Sequence, residues 1–306
     1  MKARTLISIA MCAPICALTL CADPVWRYWA AGDDGAKLND AKAWDPQGVP
    51  GAEDTLGVTI GTNKPARVEA GDDLTVNNLY VGWGRKYDAN GTHISDNAAN
   101  DLGGRLDVSG GILNVLSSLT VGGGWADNND AVMNVAGGRV NAASLFTGDC
   151  GSWSGKKDTI NISGSGTVFA VGGGDVRFSN FSGGTTFVNI TDGAKFTKET
   201  GNKVYVGIGK ATLNVNSASV EINCQETMIG VNGSGVGTIN LTNADWHSGT
   251  LHVGRDDDGT GGTGVVDISG GTTVLTNNDW YGTLNLGWGA SSGTMYVRDN
   301  ADVTVY

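Results

Sequence analysis

A short triplet, in which two apolar residues flank Asn or Asp, recurs along this chain at an almost constant spacing. Its central residues are Asp107, Asn134, Asn161, Asn189, Asn214, Asn240 and Asp267, and an eighth copy has Tyr296 at its centre. Successive copies are separated by 25 to 29 residues. A fixed period of this size is the signature of a protein that stacks one small unit many times. The chain must therefore fold as a series of similar layers.

Two further β-rich runs follow the triplet in each period. One is a short alternating run, as at 112–115 and 272–275, and the other ends on Gly, as at 119–122 and 251–254. The runs are rich in Val, Ile, Leu and Thr and are separated by Gly, Ser, Asn and Asp, which is typical of strands joined by turns. No long segment shows the apolar spacing of a capped amphipathic helix. The chain is therefore predicted to be all-β, with three short strands in each unit.

Three short strands at a period of roughly 27 residues predict one turn of a parallel β-helix, or β-solenoid. Equivalent strands of successive turns would lie about 4.8 Å apart and build continuous parallel sheets. Alternation would point the flanking apolar residues inward and the central Asn outward. With a degenerate unit at 58–60, we expect about nine coils. An antiparallel sandwich is the alternative, but it needs hairpin turns between neighbouring runs, and Asn-Gly occurs only at Asn90 and Asn232.

The beginning of the chain has the pattern of an export signal. Residues 1–22 combine a basic start, an uncharged apolar run and a small residue at Ala22, which is typical of a secretory signal peptide. No later run approaches the length of a membrane span. We therefore expect an exported protein, either secreted or held at the cell surface, that is not embedded in a membrane.

The parts of the chain on either side of the regular units have their own patterns. Three tryptophans stand in residues 23–57, namely Trp26, Trp29 and Trp44. This segment is predicted to cap the apolar end of the stack, with a carbohydrate-stacking platform as the alternative. Residues 58–306 form the predicted solenoid. Because 303–306 stand in the position of a middle strand, we expect the sequence to be truncated from a longer protein.

Composition excludes several classes of partner. The chain has 20 Lys and Arg residues against 31 Asp and Glu, a formal net charge of −11. It therefore lacks the basic surface that binds phosphate backbones, and we expect no nucleic-acid partner. Its 49 Gly residues stand in clusters rather than at every third position, which excludes a collagen-like helix.

Two cysteines, Cys150 and Cys224, lie outside the signal peptide. An exported chain with two cysteines invites a disulfide prediction. The repeat, however, separates them by three coils, about 14 Å along the stack. A disulfide needs Cα atoms about 4.4–6.8 Å apart. We therefore expect no disulfide bond between them.

One short acidic run is the strongest candidate for a metal site. In the run 256–259, the pattern Asp-x-Asp-Gly would place carboxylate oxygens around a tight turn, as calcium loops do. Asp256 and Asp258 are therefore candidate calcium ligands, although the loop lacks the later Glu of an EF-hand. A solvated acidic loop without metal is the alternative. No other cofactor is indicated.

Two tryptophans are candidate ligand-binding residues. Trp246 and Trp280 each follow Asp and stand at similar places in successive coils. Exposed Trp side chains along one edge would suit contacts with sugars or proteins. Packing of loops against the solenoid wall is the alternative explanation for the same residues.

The start and the repeats together resemble a known family. The Trp-rich start runs into VPGAEDT at 49–55, and units such as GGILNVLSSLTVGGG at 110–124 follow. From about residue 26 to its end, the chain resembles bacterial autotransporter-associated β-strand-repeat proteins. The resemblance implies a right-handed parallel β-helix that is displayed at the bacterial surface or released from it, often within a longer chain.

The sequence favours a structural or adhesive role over catalysis. We expect an exported, non-enzymatic β-solenoid that presents loops to host or environmental glycans or proteins, and that self-associates through its open end. The alternative is a carbohydrate-active enzyme, a polysaccharide lyase or glycoside hydrolase on a pectin-lyase-like β-helix. Glycoside hydrolysis needs two carboxylates about 5–9.5 Å apart. Asp107 and Asp267 are about six coils apart, and Asn fills the positions between them.

Overall fold

The chain folds as a β-solenoid. The structure is a computed structural model that describes residues 25–30, 36–58, 65–82, 103–122, 130–148, 156–181, 184–199, 201–256, 260–276 and 283–306, with the backbone of 86–87 and 93–95. The solenoid has about 8 turns of about 27 residues. The only helix in these ranges is one 3-10 turn, Ala41–Ala43. The predicted all-β solenoid is thus confirmed, and the predicted number of coils is close to the number found.

Three parallel sheets form the walls of the solenoid, and each takes one strand from each turn. The first sheet, which holds the triplets, contains Ala66–Val68, Arg105–Val108, Val132–Val135, Lys157–Ser163, Thr185–Thr191, Lys210–Asn216, Ser292–Arg298 and the first parts of Val236–Arg255 and Thr263–Leu275. The second sheet contains Asp73–Val76, Val168–Val171, Lys195–Lys198, Asp302–Val305, the first parts of Ile112–Val121, Arg139–Thr147 and Ser219–Val231, the middle of Val236–Arg255 and the end of Thr263–Leu275. The third sheet contains Trp26–Trp29, Thr55–Val58, Asn78–Val81, Val176–Phe178, Val204–Val206, Leu284–Trp288 and the last parts of Ile112–Val121, Arg139–Thr147, Ser219–Val231 and Val236–Arg255.

Two short antiparallel pairings accompany the parallel pairings of these walls. Trp44–Asp45 pairs with Trp26–Trp29 at the beginning of the solenoid. Lys86–Tyr87 pairs with His93–Ser95. All the other strand pairings in the described ranges that join successive turns are parallel, as stacking of similar coils requires.

The interior is built by the apolar residues that flank each triplet centre. These side chains are at most 2% exposed in successive turns, as at Leu106, Val108, Met133, Val135, Ile160, Ile162, Val188, Ile190, Leu213 and Val215. A strand of four residues has too few hydrogen bonds to be stable alone, so it depends on this burial. Each fully buried aliphatic side chain contributes about 1.5–3 kcal/mol relative to an exposed one. The same contribution therefore recurs at every turn.

One corner of the solenoid is narrow, and at several turns it has room only for Gly. It lies where a third-sheet strand ends and the next first-sheet strand begins. A Cβ atom on Gly237 would lie 2.1 Å from the carbonyl O of Val206 and 2.4 Å from the amide N of Gly230. A Cβ atom on Gly104 would lie 1.9 Å from the amide N of Gly82. Gly230, near the end of a third-sheet strand, faces the same corner: a Cβ atom there would lie 1.9 Å from the carbonyl O of Thr263, and its φ of 66° also favours Gly.

Two of the N-terminal tryptophans lie inside the fold. Trp29 and Trp44 are each 1% exposed, and their rings meet edge to face at 5.2 Å between centroids. The indole Nε1 of Trp44 donates to the carbonyl O of Leu38 at 2.8 Å. Their ring faces are therefore not available for stacking on a sugar. Trp26, by contrast, is 43% exposed.

Of the two cysteines outside the signal peptide, Cys224 lies in the described residues. Cys224 is a free, buried thiol whose Sγ contacts the carbonyl O of Glu226 at 3.3 Å. Desolvation raises the pKa of this thiol. Cys150 lies outside the described residues.

Candidate functional site

The outer surface of the first sheet carries a continuous ladder of amides. The central residues of the triplets lie in register from one turn to the next. Asn161, Asn189, Asn214 and Asn240 each donate from Nδ2 to the Oδ1 atom one turn earlier at 2.8 Å. Asn134 donates to Asp107 Oδ1 at 2.6 Å. The predicted outward Asn ladder is confirmed, and its polar groups are used to hold the coils in register.

The ladder has a direction, and an Asp stands at each end. Every amide donates toward the N-terminus, so Asp107 is the first acceptor. Asp267, at the other end, has no proton to donate to Asn240 when ionised. Instead it accepts two hydrogen bonds from Arg298, at 2.9 and 2.6 Å. Both ends of the ladder are thus structural, and neither carboxylate faces a second one within the described part of the first sheet.

Replacing Asn189 with Ala is expected to lower the free energy of unfolding by about 1–2 kcal/mol. The change removes the donor to Asn161 and the acceptor for Asn214, both of which are part-buried. Urea unfolding followed by circular dichroism measures the loss. Asn216→Ala, at an exposed position of the first-sheet strand one turn later, is the control and is expected to change stability by less than half as much. Equal losses for the two variants would mean that the ladder adds no stability.

Of the two predicted calcium ligands, Asp256 lies in the described residues, where its carboxylate accepts from backbone amides. Asp256 is 9% exposed, and its two oxygens accept from the backbone amides of Thr260 at 3.0 Å and Ala290 at 3.1 Å. It therefore ties its own loop to the following turn. Asp258 lies outside the described residues. Within the described ranges, no group of three or more His, Cys, Asp and Glu side chains could hold a metal ion.

The structure corrects the surface position that the sequence suggested for Trp246. Its side chain is 1% exposed and its Nε1 donates to Ser248 Oγ at 3.0 Å. The residue pairs in register with Val220, so alternation along the second sheet points it into the core. Trp246 therefore presents no ring to a ligand. Trp280 lies outside the described residues.

The outer surface of the third sheet carries aromatic side chains instead of a ladder of amides. Three aromatic rings form a stack at its N-terminal end. Trp26 stacks on Tyr28 at 6.1 Å and on Tyr80 at 5.9 Å between ring centroids, with angles of 17° and 18° between the planes. Gly57 pairs in register with both tyrosines, so no side chain separates them. The indole occupies that space and remains 43% exposed.

Farther along the same surface, a guanidinium lies between two more aromatic rings. Arg177 lies 5.9 Å from the ring centroid of Phe146 and 5.3 Å from that of Tyr205. Its Nη2 atom is also 2.6 Å from Asp175 Oδ2. Cation–π contacts of this kind contribute about 0.5–1 kcal/mol at exposed sites. Each ring and the guanidinium are thus held in one orientation.

A compact group of charges follows on the next turns. Glu226 Oε2 is 3.0 Å from Lys203 Nζ and 2.8 Å from Arg255 Nη1. The same Arg255 atom is 3.0 Å from Nε2 of His252, which is 1% exposed. Sequence reasoning missed this group. His252, at the centre of the run that ends on Gly254, is the one member of the group that stands at a regular position of the repeat.

The connections of variable length border this same third sheet. The connections 82–104, 122–131, 148–156 and 256–262 all follow a third-sheet strand, and 276–283 precedes one. The turns from the first to the second sheet, such as 109–111, 136–138 and 192–194, are short. We call the outer surface of the third sheet and its bordering connections the variable face. Insertions confined to one side of a stack are typical of a binding face.

A groove on the second sheet has a carboxylate and an imidazole in its lining. It has a volume of about 350 Å³ and is lined by Glu221, Ile222, Asn223, His247, Ser248, Val274 and Thr276. Side-chain hydrogen bonds from Lys195 and Asn223 lower the pKa of Glu221 below its ordinary value. Glu221 is therefore an ionised carboxylate at neutral pH and a poor general acid.

Comparisons of the chain with protein-family models, with curated proteins and with solved structures gave no match. Within the described ranges, no helix is long and apolar enough to cross a membrane. A functional assignment therefore depends on the geometry of the three surfaces.

Proposed function

We propose that this chain is an exported, non-enzymatic β-solenoid that binds glycans or proteins through its variable face. The observation that carries the proposal is the difference between the surfaces. The amides of the first sheet bond to one another, whereas the third sheet presents oriented aromatic rings and the connections of variable length. Aromatic and Arg side chains are the residues most enriched at binding hot spots.

Rigidity supports the same proposal. The rings of Tyr28 and Tyr80 are held by stacking on Trp26, and the guanidinium of Arg177 is held by Asp175. Side chains that are already ordered lose less conformational entropy when a partner binds. A stack of coils adds a stiff support, because strands inside the stack are bonded to the turns before and after them.

Export and display at a bacterial surface belong to the proposal as well. They are supported by the pattern of residues 1–22 and by the resemblance to autotransporter-associated β-strand-repeat proteins. In such a setting, a long solenoid would hold its variable face away from the cell.

The exposed tryptophan provides the test of the binding proposal. The chain from residue 23 onward is screened by surface plasmon resonance against immobilised neutral and acidic polysaccharides and extracellular-matrix proteins. We expect Trp26→Ala to weaken binding to the selected ligand about tenfold or more, because a central aromatic anchor contributes at least this much. The control is Thr238→Ala, on the outer surface of the first sheet. If Thr238→Ala weakened binding of the ligand and Trp26→Ala did not, the binding site would lie on the first sheet and not on the variable face.

A polysaccharide-cleaving enzyme is the competing proposal, and the groove beside Glu221 is the observation that favours it. A carboxylate and an imidazole, those of Glu221 and His247, lie on neighbouring turns at its edge. The same polysaccharides can be analysed after incubation for new reducing ends or unsaturated products. Cleavage that is lost in Glu221→Gln would replace the binding proposal with catalysis at this groove.

A further inference from the structure

A carboxyl group is buried at one turn of the narrow corner of the solenoid. Asp158, at the start of a first-sheet strand, is 1% exposed. On the neighbouring turns the same inward position holds Ala131 and Thr186, and farther along it holds Ala211 and Gly237. Asp158 is therefore the only residue of this described column that carries an ionisable group.

The carboxyl fits the corner closely. A Cβ atom on Gly122 would lie 2.0 Å from Cγ of Asp158, so only Gly leaves room for the carboxyl there. The hydroxyls of Thr147 and Thr186 bond to each other at 2.8 Å, and Thr147 Oγ1 also accepts from the amide of Ser179 at 2.8 Å. Within the described chain, Oδ1 of Asp158 is buried and has no hydrogen-bond partner.

Few charges face this carboxyl. Lys156, two residues earlier, favours the ionised form, and Asp130, at the end of the preceding connection, opposes it. Backbone amides of Ala131 and Gly148 also favour the ionised form. Gly122 and Gly148 beside it, and Thr186 in register on the next turn, are uncharged. Desolvation outweighs the favourable contacts and raises the pKa of Asp158 from 3.8 to about 7.

We propose that Asp158 is a pH-sensitive latch for this corner, in which the neutral carboxyl keeps the corner closed and the carboxylate opens it. An ionised oxygen buried without a partner has a large desolvation cost, which water relieves if the strand ends separate. The strand ends concerned are 119–122, 145–148 and 156–160. A ligand of the variable face would then meet a closed corner in mild acid and a looser one in alkali.

The sign of the linkage follows from the raised pKa. The native carboxyl holds its proton up to about pH 7, whereas the unfolded chain loses it near pH 3.8. Between these values the native state binds more protons, so the contribution of Asp158 to stability falls as the pH rises. The contribution is greatest in acid and is at its lowest above pH 7. This direction is opposite to that of an ordinary ion-paired Asp.

Hydrogen–deuterium exchange of the full chain at pH 5 and pH 8.5 tests the latch, with rates corrected for intrinsic exchange. In the wild type we expect protection at 119–122 and 145–148 to fall about tenfold or more at the higher pH. Asp158→Asn keeps the shape and cannot ionise, so its protection at the corner should be the same at both values. Asp192→Asn, at an exposed turn of the next coil, should behave like the wild type.

Two outcomes would overturn the proposal. In the first, the protection of 119–122 in the wild type changes with pH no more than the protection of 251–254, the equivalent Gly-ending segment near the other end of the stack. In the second, the Asp158→Asn variant retains the full pH dependence. The first comparison uses the wild type alone, so it decides the matter even if the variant does not fold.

Discussion

Replacing Trp246 with Ala is expected to lower the free energy of unfolding by about 3–5 kcal/mol. The indole is among the largest fully buried side chains of the described core, and the apolar space around it cannot close completely once the ring is gone. The change also removes the hydrogen bond that the indole Nε1 donates to Ser248 Oγ. Chemical unfolding followed by Trp fluorescence and circular dichroism measures the loss.

Two controls separate this core role from a role in binding. Trp246→Phe keeps most of the ring volume and should be less damaging than Ala, because volume-conserving replacements are tolerated best. Trp26→Ala removes a 43% exposed ring and should have a smaller effect on stability. If Trp246→Ala left stability unchanged and abolished ligand binding, the indole would have to lie on the surface.

Replacing Gly237 with Ala is expected to lower the free energy of unfolding by about 3 kcal/mol, the upper part of the usual range for overpacking. The added methyl would lie 2.1 Å from the carbonyl O of Val206 and 2.4 Å from the amide N of Gly230. These are backbone atoms of the stack, so they cannot move aside without disturbing the pairing of neighbouring turns. Gly237 does not have a left-handed backbone conformation, so the effect is steric.

The matched control for this substitution is Gly184→Ala. A Cβ atom on Gly184 would lie 3.6 Å or more from its nearest neighbours, an ordinary contact. We expect Gly184→Ala to have little effect, measured by the same thermal and urea unfolding. A well-folded Gly237→Ala protein with unchanged stability would mean that the corner is wider than the structure shows.

The sequence predicts the stack well because one regular signal controls it. The spacing of Asn134, Asn161 and Asn189 predicts both the length of a turn and the outward position of the amides, and the register confirms this. Once strands of this length are stacked, burial of the flanking apolar residues leaves one register that keeps them inside. The fold therefore follows from local pattern alone.

Individual side chains away from the triplets are harder to place. The sequence allows Trp246 either an exposed position or packing against the solenoid wall, and its ring is buried because it occupies the position that Val220 holds one turn earlier. A comparison of successive turns would have revealed this. Asp158 could have been found in the same way, because Ala131 stands at the equivalent position on the preceding turn.

The charge group around Glu226 could not be predicted from the period. Arg255 lies 29 residues farther along the chain, and its contact with Glu226 depends on long side chains that cross from one turn to the next. Composition and alternation do not determine which of several nearby charges pair. The position of the Arg177 guanidinium between Phe146 and Tyr205 is equally hard to predict, because it depends on the conformation of the Arg177 side chain.

The most direct test of the proposed function is a hydrogen-exchange footprint of the chain with a ligand selected from the binding screen. Binding through the variable face should increase protection at 26–29, 78–81 and 144–147, and should leave the first-sheet strands at 132–135 and 210–216 unchanged. A footprint on the first sheet, or one confined to the groove beside Glu221 together with cleavage of the ligand, would contradict the proposal.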